Sequence, residues 1–332
     1  MSADMTTSDY GNAVLNSPTF RQFRILLAVA ASCVIFYTIG MWVMVMPQMG
    51  GAGIIAFGPL GSWVAPAGLV AALLLSMVVS ALITFPDGPH TGLFGAAAGL
   101  CALAVRIGTI KFLLLTQYHH PSAAYLPLVA QCAFFLIWVL LAALAARVMQ
   151  PWFTGAHLWP LSVGVPWPLR HDADIAVPEG FPSSTDWLVR TNREGKPARP
   201  ALIDSVLALL MIVLIALVME LITLRSLQPG QAIFALIISF YVAAFAAGLV
   251  FKRAPDVMYL AAPLVTAAIS YLVSWHMKSP YPGYPGFTPA NALPVYYASA
   301  GVVGALMGYY SAMRAVHHSA LEQSHADQTR GN

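Results

Sequence analysis

Residues 202–224 read LIDSVLALLMIVLIALVMELITL, an unbroken apolar run with one acid near each end, Asp204 and Glu220. A helix of about 20 apolar residues crosses the ~30 Å hydrocarbon core of a bilayer. Further runs of similar length lie at 25–45, 63–84, 93–115, 123–146, 232–251, 257–275 and 295–313. These runs are continuous, whereas the strands of a membrane β-barrel alternate polar and apolar residues. The sequence therefore predicts an all-α polytopic membrane helix bundle of about eight transmembrane helices, with roughly six to nine as the range.

The composition of the whole chain indicates the same solvent. Hydrophobic residues make up 59% and charged residues 9% of the 332 residues, whereas a soluble domain carries about 25% charged residues. The net charge of +3 is small and gives no indication of nucleic-acid binding. We therefore expect the lipid bilayer as the main partner, other membrane subunits as further candidates, and no nucleic acid.

One long polar segment, residues 147–200, divides the chain into two parts. The predicted organisation is a cytoplasmic N-terminal segment (1–24), a first four-helix half (25–146), a cytoplasmic or interfacial loop (147–200), a second four-helix half (201–313) and a cytoplasmic tail (314–332). The glycine-rich segment 47–62 carries no charge and can lie at the interface or re-enter the membrane. The sequence does not decide between these two arrangements.

The positions of lysine and arginine predict the orientation. With both termini in the cytoplasm, the inner segments hold twelve of these residues and the outer segments hold four. Short cytoplasmic loops of membrane proteins carry an excess of Lys and Arg. We therefore predict that both termini and the central loop are cytoplasmic, and the short loops fit a bacterial inner membrane.

The central loop has two chemically different halves. Trp152, Trp159 and Trp167 lie in its uncharged first half, and indole rings prefer the headgroup level of a bilayer. We expect this half to lie along the cytoplasmic membrane surface. The basic end of the loop, from Arg190 to Arg199, is either a topology anchor or a site for anionic lipid or a partner.

Small residues predict where helices approach each other closely. Gly95 and Gly99 form a small-xxx-small pattern in the third run, and glycines recur at 301, 304 and 308 in the eighth. The small-xxx-small pattern of the third run lets two helix backbones come together in a membrane.

Three charged residues stand inside predicted spans beyond the first helical turn. Arg106 falls deep in the third run, Lys111 lies about one turn further out and can snorkel, and Glu220 is the only deep acid. An arginine at membrane depth costs about 2.5–3.5 kcal/mol on insertion scales unless it is paired. We predict that Arg106 and Glu220 form an intramembrane charged pair, either as a structural link between the two halves or as part of a transport path.

The loop 279–289 has an unusual pattern, because Tyr281, Tyr284 and Phe287 recur every third residue among prolines. Polyproline II has three residues per turn, so the three rings would share one face in that conformation. The functional interpretation is an aromatic platform on the outer surface for a ligand or partner. The alternative is a stiff cap whose rings rest on the membrane interface.

No motif indicates an enzyme, since HExxH, GxSxG, Walker and GxGxxG patterns are absent in a usable context. The adjacent pairs His119–His120 and His317–His318 are expected to be solvated interfacial residues, so we expect neither a metal nor a cofactor. Cys33, Cys101 and Cys132 lie inside apolar runs and are expected to be core residues. The first functional hypothesis is a non-enzymatic subunit or accessory of a membrane complex. The alternative is a transporter or channel that uses Arg106 and Glu220, and a membrane enzyme ranks third.

Overall fold

The computed structural model describes residues 18–40, 64–84, 89–107, 110–116, 121–154, 201–251, 254–277 and 283–331. Its elements are α1 (Pro18–Ile35) with a π-helical continuation (Phe36–Gly40), α2 (Val64–Ile83), α3 (Pro89–Arg106), α4 (Ile110–Thr116), α5 (Pro121–Thr154), α6 (Ala201–Thr223), α7 (Pro229–Val250), α8 (Asp256–His276), a 3₁₀ helix (Thr288–Asn291), α9 (Pro294–Tyr296), a π-helix (Tyr297–Gly301) and α10 (Val302–Gly331). These described ranges contain no strand, and the predicted all-α bundle is confirmed.

Four helices are long and apolar enough to cross a membrane, judged by length and composition. They comprise Ala124–Ala145, Ile203–Thr223, Pro229–Val250 and Asp256–His276. Shorter apolar helical stretches of 10–17 residues occur at Gln22–Thr38, Ala67–Ile83 and Gly92–Val105. These segments coincide with seven of the predicted runs, and their length and apolar composition suggest a membrane protein.

The third predicted run is not one continuous helix, and this part of the prediction was wrong. α3 ends at Arg106, Ile107 is non-helical, and α4 begins at Ile110. Gly108 follows Ile107 in the sequence, and a glycine in a helix interior costs about 1 kcal/mol relative to alanine. Arg106 is therefore a helix-terminal residue, where the sequence pattern had placed it inside a span.

α3 packs closely against both α1 and α2. A Cβ at Gly99 would lie 2.9 Å from the Ser32 carbonyl oxygen, and one at Gly95 would lie 2.8 Å from the Ser80 Cβ. The hydroxyls of Ser32 and Ser80 are themselves 2.7 Å apart and form a buried hydrogen bond between α1 and α2. The close helix approach predicted from the small residues of the third run is confirmed.

The other helices pack mainly with one another. α7 makes its most extensive contact with α10, and α5 packs more extensively against α8 than against α3. Along α10, a Cβ at Gly304 or Gly308 would collide with the backbone carbonyl oxygen of Ile237 or Tyr241 on α7. The glycines of the eighth run therefore bring two backbones into direct contact.

The chain enters α10 through a segment that is buried over its whole length. Residues 289–306 are all buried, although 289–293 are not α-helical. We call residues 289–297 the entry segment. Non-helical backbone at membrane depth must find hydrogen-bond partners inside the protein. The side chains around the entry segment therefore have to supply these partners.

Candidate functional site

Glu220 lies in the last turn of α6 and its side chain is 0% exposed. Asp204 and Asp256 are the other acids whose burial the structure describes, and both are partly exposed. A buried carboxylate without strong partners costs several kcal/mol, so a carboxyl group in this position needs either a counter-charge, hydrogen-bond donors or a proton.

The hydroxyl of Tyr297, the first residue of the π-helix, is the hydrogen-bond partner of Glu220. It lies 2.9 Å from Oε2 of Glu220 and 2.7 Å from the carbonyl oxygen of Pro289. Oε1 of Glu220 is buried and has no hydrogen-bond partner among the described residues. The carboxyl group therefore has one contact to a side chain that also holds the entry segment.

Three further side chains satisfy the polar backbone around Glu220. The Tyr271 hydroxyl on α8 donates to the Ala292 carbonyl at 2.5 Å, and the Asn291 amide donates to the Leu224 carbonyl at 3.2 Å. The Tyr296 hydroxyl donates to the Ile107 carbonyl at 3.2 Å. Ile107 is the residue at which α3 stops, so its carbonyl lacks an intrahelical partner. These bonds join the end of α3, the end of α6, α8 and the entry segment into one site.

Aromatic packing and an irregular helical turn fix the position of Tyr297. The Phe240 ring of α7 meets the Tyr297 ring edge-on, with the ring centroids 6.1 Å apart. The turn that begins at Tyr297 is π-helical up to Gly301, and the Ser299 hydroxyl inside it donates to the Val295 carbonyl at 2.7 Å. Single π-helical turns occur frequently at functional sites, because they re-aim side chains without breaking the helix.

Of the three charged residues predicted from the sequence, only Glu220 is seen in the site. Arg106 ends α3, next to the Ile107 carbonyl that Tyr296 binds, but its side chain lies outside the described residues. The predicted pair of Arg106 with Glu220 therefore stays a prediction. Lys111 has an exposed side chain whose Nζ lies 5.5 Å from the centroid of the Tyr284 ring.

The two described aromatic residues of the loop 279–289 differ in how much of their side chains is exposed. Tyr284 is 44% exposed, Phe287 is half-buried, and Tyr281 lies outside the described residues. Gly283 has a φ of +79°, whereas polyproline II requires a φ near −75°, so the backbone turns between the first and second rings. The outer-surface platform stays a prediction, and its described part is the contact of Tyr284 with Lys111.

Sequence reasoning missed the tyrosines and the asparagine of the site. Tyr296 and Tyr297 lie in the first turn of the eighth run, Asn291 precedes that run, and polar residues are expected at such an interface. Tyr271 lies in the second half of α8. One signal was present: Pro289 and Pro294 interrupt the helical pattern beside these donors. Non-helical backbone next to hydroxyl and amide side chains indicates a buried loop that supplies its own hydrogen bonds.

Other predicted features lie outside the described residues. These are the segment 47–62, His119–His120, and the central loop beyond Thr154 with Trp159 and Trp167. His317 and His318 lie within α10, but their side chains are not described. Within the described part of the chain, no three His, Cys, Asp or Glu side chains come together in a group that could hold a metal ion.

Comparison of the chain with known protein families, with characterised proteins and with solved structures found no match. Function therefore has to be argued from the site alone.

Proposed function

We propose that this protein is a membrane transporter in which Glu220 binds the transported or coupling cation. The observation that carries the proposal is a fully buried carboxyl group, one oxygen of which has no partner among the described residues, in a helix long and apolar enough to cross a membrane. Ionisable groups inside a membrane are costly and rare, and they mark ion paths and proton relays. A bound cation neutralises a buried carboxylate that has a single described hydrogen-bond contact.

The backbone around Glu220 supports the same proposal. The entry segment contacts the helical break after Arg106 through Tyr296, the end of α6 through Asn291 and the Glu220 carboxyl group through Tyr297. Secondary transporters commonly build their binding sites from interrupted helices at membrane depth, since free backbone groups there can face a ligand. In this chain the carbonyls of Ile107, Leu224 and Ala292 each accept a hydrogen bond from an uncharged side chain.

Charge displacement after a concentration jump tests the proposal. Proteoliposomes on a solid-supported membrane would receive a pH jump at constant salt, and then a Na⁺ or K⁺ jump at constant pH. We expect wild-type protein to give a transient current with at least one cation, Glu220→Gln to lose it, and the control Asp204→Asn to retain it. The proposal is wrong if wild type gives no current with any of the three cations, or if Glu220→Gln behaves like wild type.

The second candidate is a non-enzymatic subunit or accessory of a membrane complex. It is supported by the buried hydroxyls of Thr84, Thr266 and Ser270, each of which donates to a carbonyl four residues earlier in its own helix at 2.8 Å. A hydroxyl bonded in this way is satisfied by the backbone of its own chain segment, without a ligand or a second helix. Co-purification of a second chain at fixed stoichiometry from native membranes, together with silent charge-displacement traces, would favour this candidate.

We further propose a bacterial inner membrane as the location, with both termini and residues 147–200 in the cytoplasm. The excess of lysine and arginine on the inner side supports this orientation. Single cysteines at Ser183 and Ser279, treated with a membrane-impermeant thiol reagent in intact cells, test it. We expect labelling at position 279 and none at 183, and the reverse pattern would overturn the orientation.

A further inference from the structure

The hydroxyl of Tyr297 contacts two oxygens but has only one hydrogen to donate. Its distances of 2.7 Å to the Pro289 carbonyl oxygen and 2.9 Å to Glu220 Oε2 are both those of ordinary O–H···O bonds. The Pro289 carbonyl can only accept. If the Tyr297 hydrogen lies towards Pro289, the second contact requires a hydrogen from Glu220.

We propose that Glu220 carries a proton at neutral pH and donates it in a hydrogen bond to Tyr297, so that the proton is the cation of this site. The chain of bonds then runs from the Glu220 acid hydrogen to the Tyr297 oxygen, and from the Tyr297 hydrogen to the Pro289 carbonyl. A neutral acid also explains how one hydrogen-bond contact suffices for a carboxyl group that is 0% exposed. The inference rests on the proposed function for its use of Glu220 as the cation site.

The groups that surround Glu220 are consistent with a neutral acid. Tyr297 on the π-helix, Tyr271 on α8 and Cys132 on α5 are the neighbouring titratable groups, and hydroxyl and thiol groups of these types are ordinarily uncharged at neutral pH. α7 carries no Asp, Glu, Lys, Arg or His between residues 229 and 250. On α3, Arg106 is the charged residue nearest to the break, and its ionic pairing with Glu220 is the competing arrangement.

Loss of the proton changes the hydrogen bonds of the entry segment. When the O–H bond of Glu220 breaks and the proton passes to water, the carboxylate keeps the electron pair and becomes an acceptor only. It then competes for the single hydrogen of Tyr297, because bonds to charged acceptors are stronger than bonds to carbonyls. Pro289 is left with an unsatisfied buried carbonyl, so proton release at Glu220 loosens the segment that leads into α10.

Infrared spectroscopy of the reconstituted full-length protein tests the proton directly. We expect the carbonyl stretching band of a protonated carboxylic acid at neutral pH in wild type, its loss in Glu220→Gln and its retention in Asp204→Asn. In Tyr297→Phe the band should persist at a shifted frequency, because the acid has lost its acceptor. The inference is overturned if the band is identical in wild type and Glu220→Gln.

A second measurement uses the unmodified chain, so that it does not depend on a variant that folds. A hydrophobic carbodiimide reacts with buried protonated carboxyl groups, and peptide mass spectrometry locates the adduct. We expect modification at Glu220 that declines as the pH is raised, whereas an unmodified Glu220 at every pH contradicts the inference.

A double-mutant cycle separates the proton from the ion pair. For a neutral Glu220, the thermal destabilisations of Arg106→Met and Glu220→Gln should add in the double variant. A double variant that is more stable than either single variant would show the ion pair and overturn the proton inference. That result leaves the proposed transport function standing, because the charge-displacement assay tests Glu220 whichever charge it carries.

Discussion

The backbone of α10 and that of the entry segment are buried against other helices in two different ways. Where α10 crosses α7, Gly304 and Gly308 leave no room for a side chain above the carbonyls of Ile237 and Tyr241. Where the entry segment meets α6 and α3, tyrosine hydroxyls and one amide reach across gaps to isolated carbonyls. The first contact is a close approach of two fully helical backbones, and the second is polar because the helices there are interrupted.

This difference indicates where the protein can move. A helix interface closed by glycines depends on dispersion contacts over a fixed distance, and any separation of the two helices loses them together. A network of single hydrogen bonds can exchange one partner for another at small cost. The glycine contact is therefore expected to act as a fixed frame, while the network around Glu220 and Tyr297 can change its hydrogen bonds, as the proposed proton release from Glu220 requires.

The largest expected effect comes from adding one methyl group to the glycine contact. Gly308→Ala places a Cβ against the Tyr241 carbonyl oxygen, and backbone on both sides cannot yield easily. Overpacking of this kind costs about 1–3 kcal/mol. Thermal unfolding in detergent, followed by tryptophan fluorescence, should show the loss of stability.

Gly230→Ala is the matched control for this substitution. Gly230 lies in the first turn of α7, and a Cβ there meets nothing within 4 Å. We expect its melting temperature to equal or slightly exceed that of wild type, because alanine favours the helix. Equal destabilisation by the two substitutions would show that the glycine contact does not hold the helices together.

A smaller effect is expected at the break after α3. Tyr296→Phe removes the hydroxyl that satisfies the Ile107 carbonyl, and the net contribution of such a hydrogen bond to stability is about 0.5–1.5 kcal/mol. Tyr284→Phe removes a hydroxyl from a side chain that is 44% exposed and should be close to neutral. Amide hydrogen exchange checks the location of the effect, since faster exchange should appear in α4 and the entry segment for the first variant only.

The sequence alone predicted the apolar helices and the close approach at Gly95 and Gly99, but it did not predict the hydrogen bonds around Glu220 and Tyr297. The positions of the apolar runs and the spacing of Gly95, Gly99, Gly304 and Gly308 depend on helix periodicity alone, which is a local property of the chain. The contact of Tyr297 with Glu220 joins residues 77 positions apart, and that of Tyr296 with Ile107 joins residues 189 apart. Such contacts depend on which helices are neighbours and on where a helix stops, and neither is encoded in a single run.

Glu220 shows the limit of the sequence argument in one residue. Its depth in the sixth helix could be predicted from the length of the apolar run, and so could its cost. Its partner could not, because charge matching within the sequence offers Arg106, whereas the described contact is to a neutral hydroxyl of the entry segment. A charge count ignores hydroxyl donors, and inside a membrane these can decide whether a carboxyl group keeps its proton.

The smallest expected effect concerns the contact between Lys111 and Tyr284, which lies outside both the glycine frame and the polar network. The Nζ of Lys111 is 5.5 Å from the centroid of the Tyr284 ring, and both side chains are exposed. A cation–π contact at an exposed site contributes about 0.5–1 kcal/mol, and water screens part of it. Lys111→Met keeps most of the aliphatic chain and removes the charge. The melting temperature should therefore fall only by the amount that corresponds to a loss of about 0.5–1 kcal/mol at most. Lys111→Met in a Tyr284→Leu background is the control, since the ring is then absent and the charge has nothing to bind. An equal loss in both backgrounds would show that Lys111 acts through another partner and that Tyr284 does not hold it.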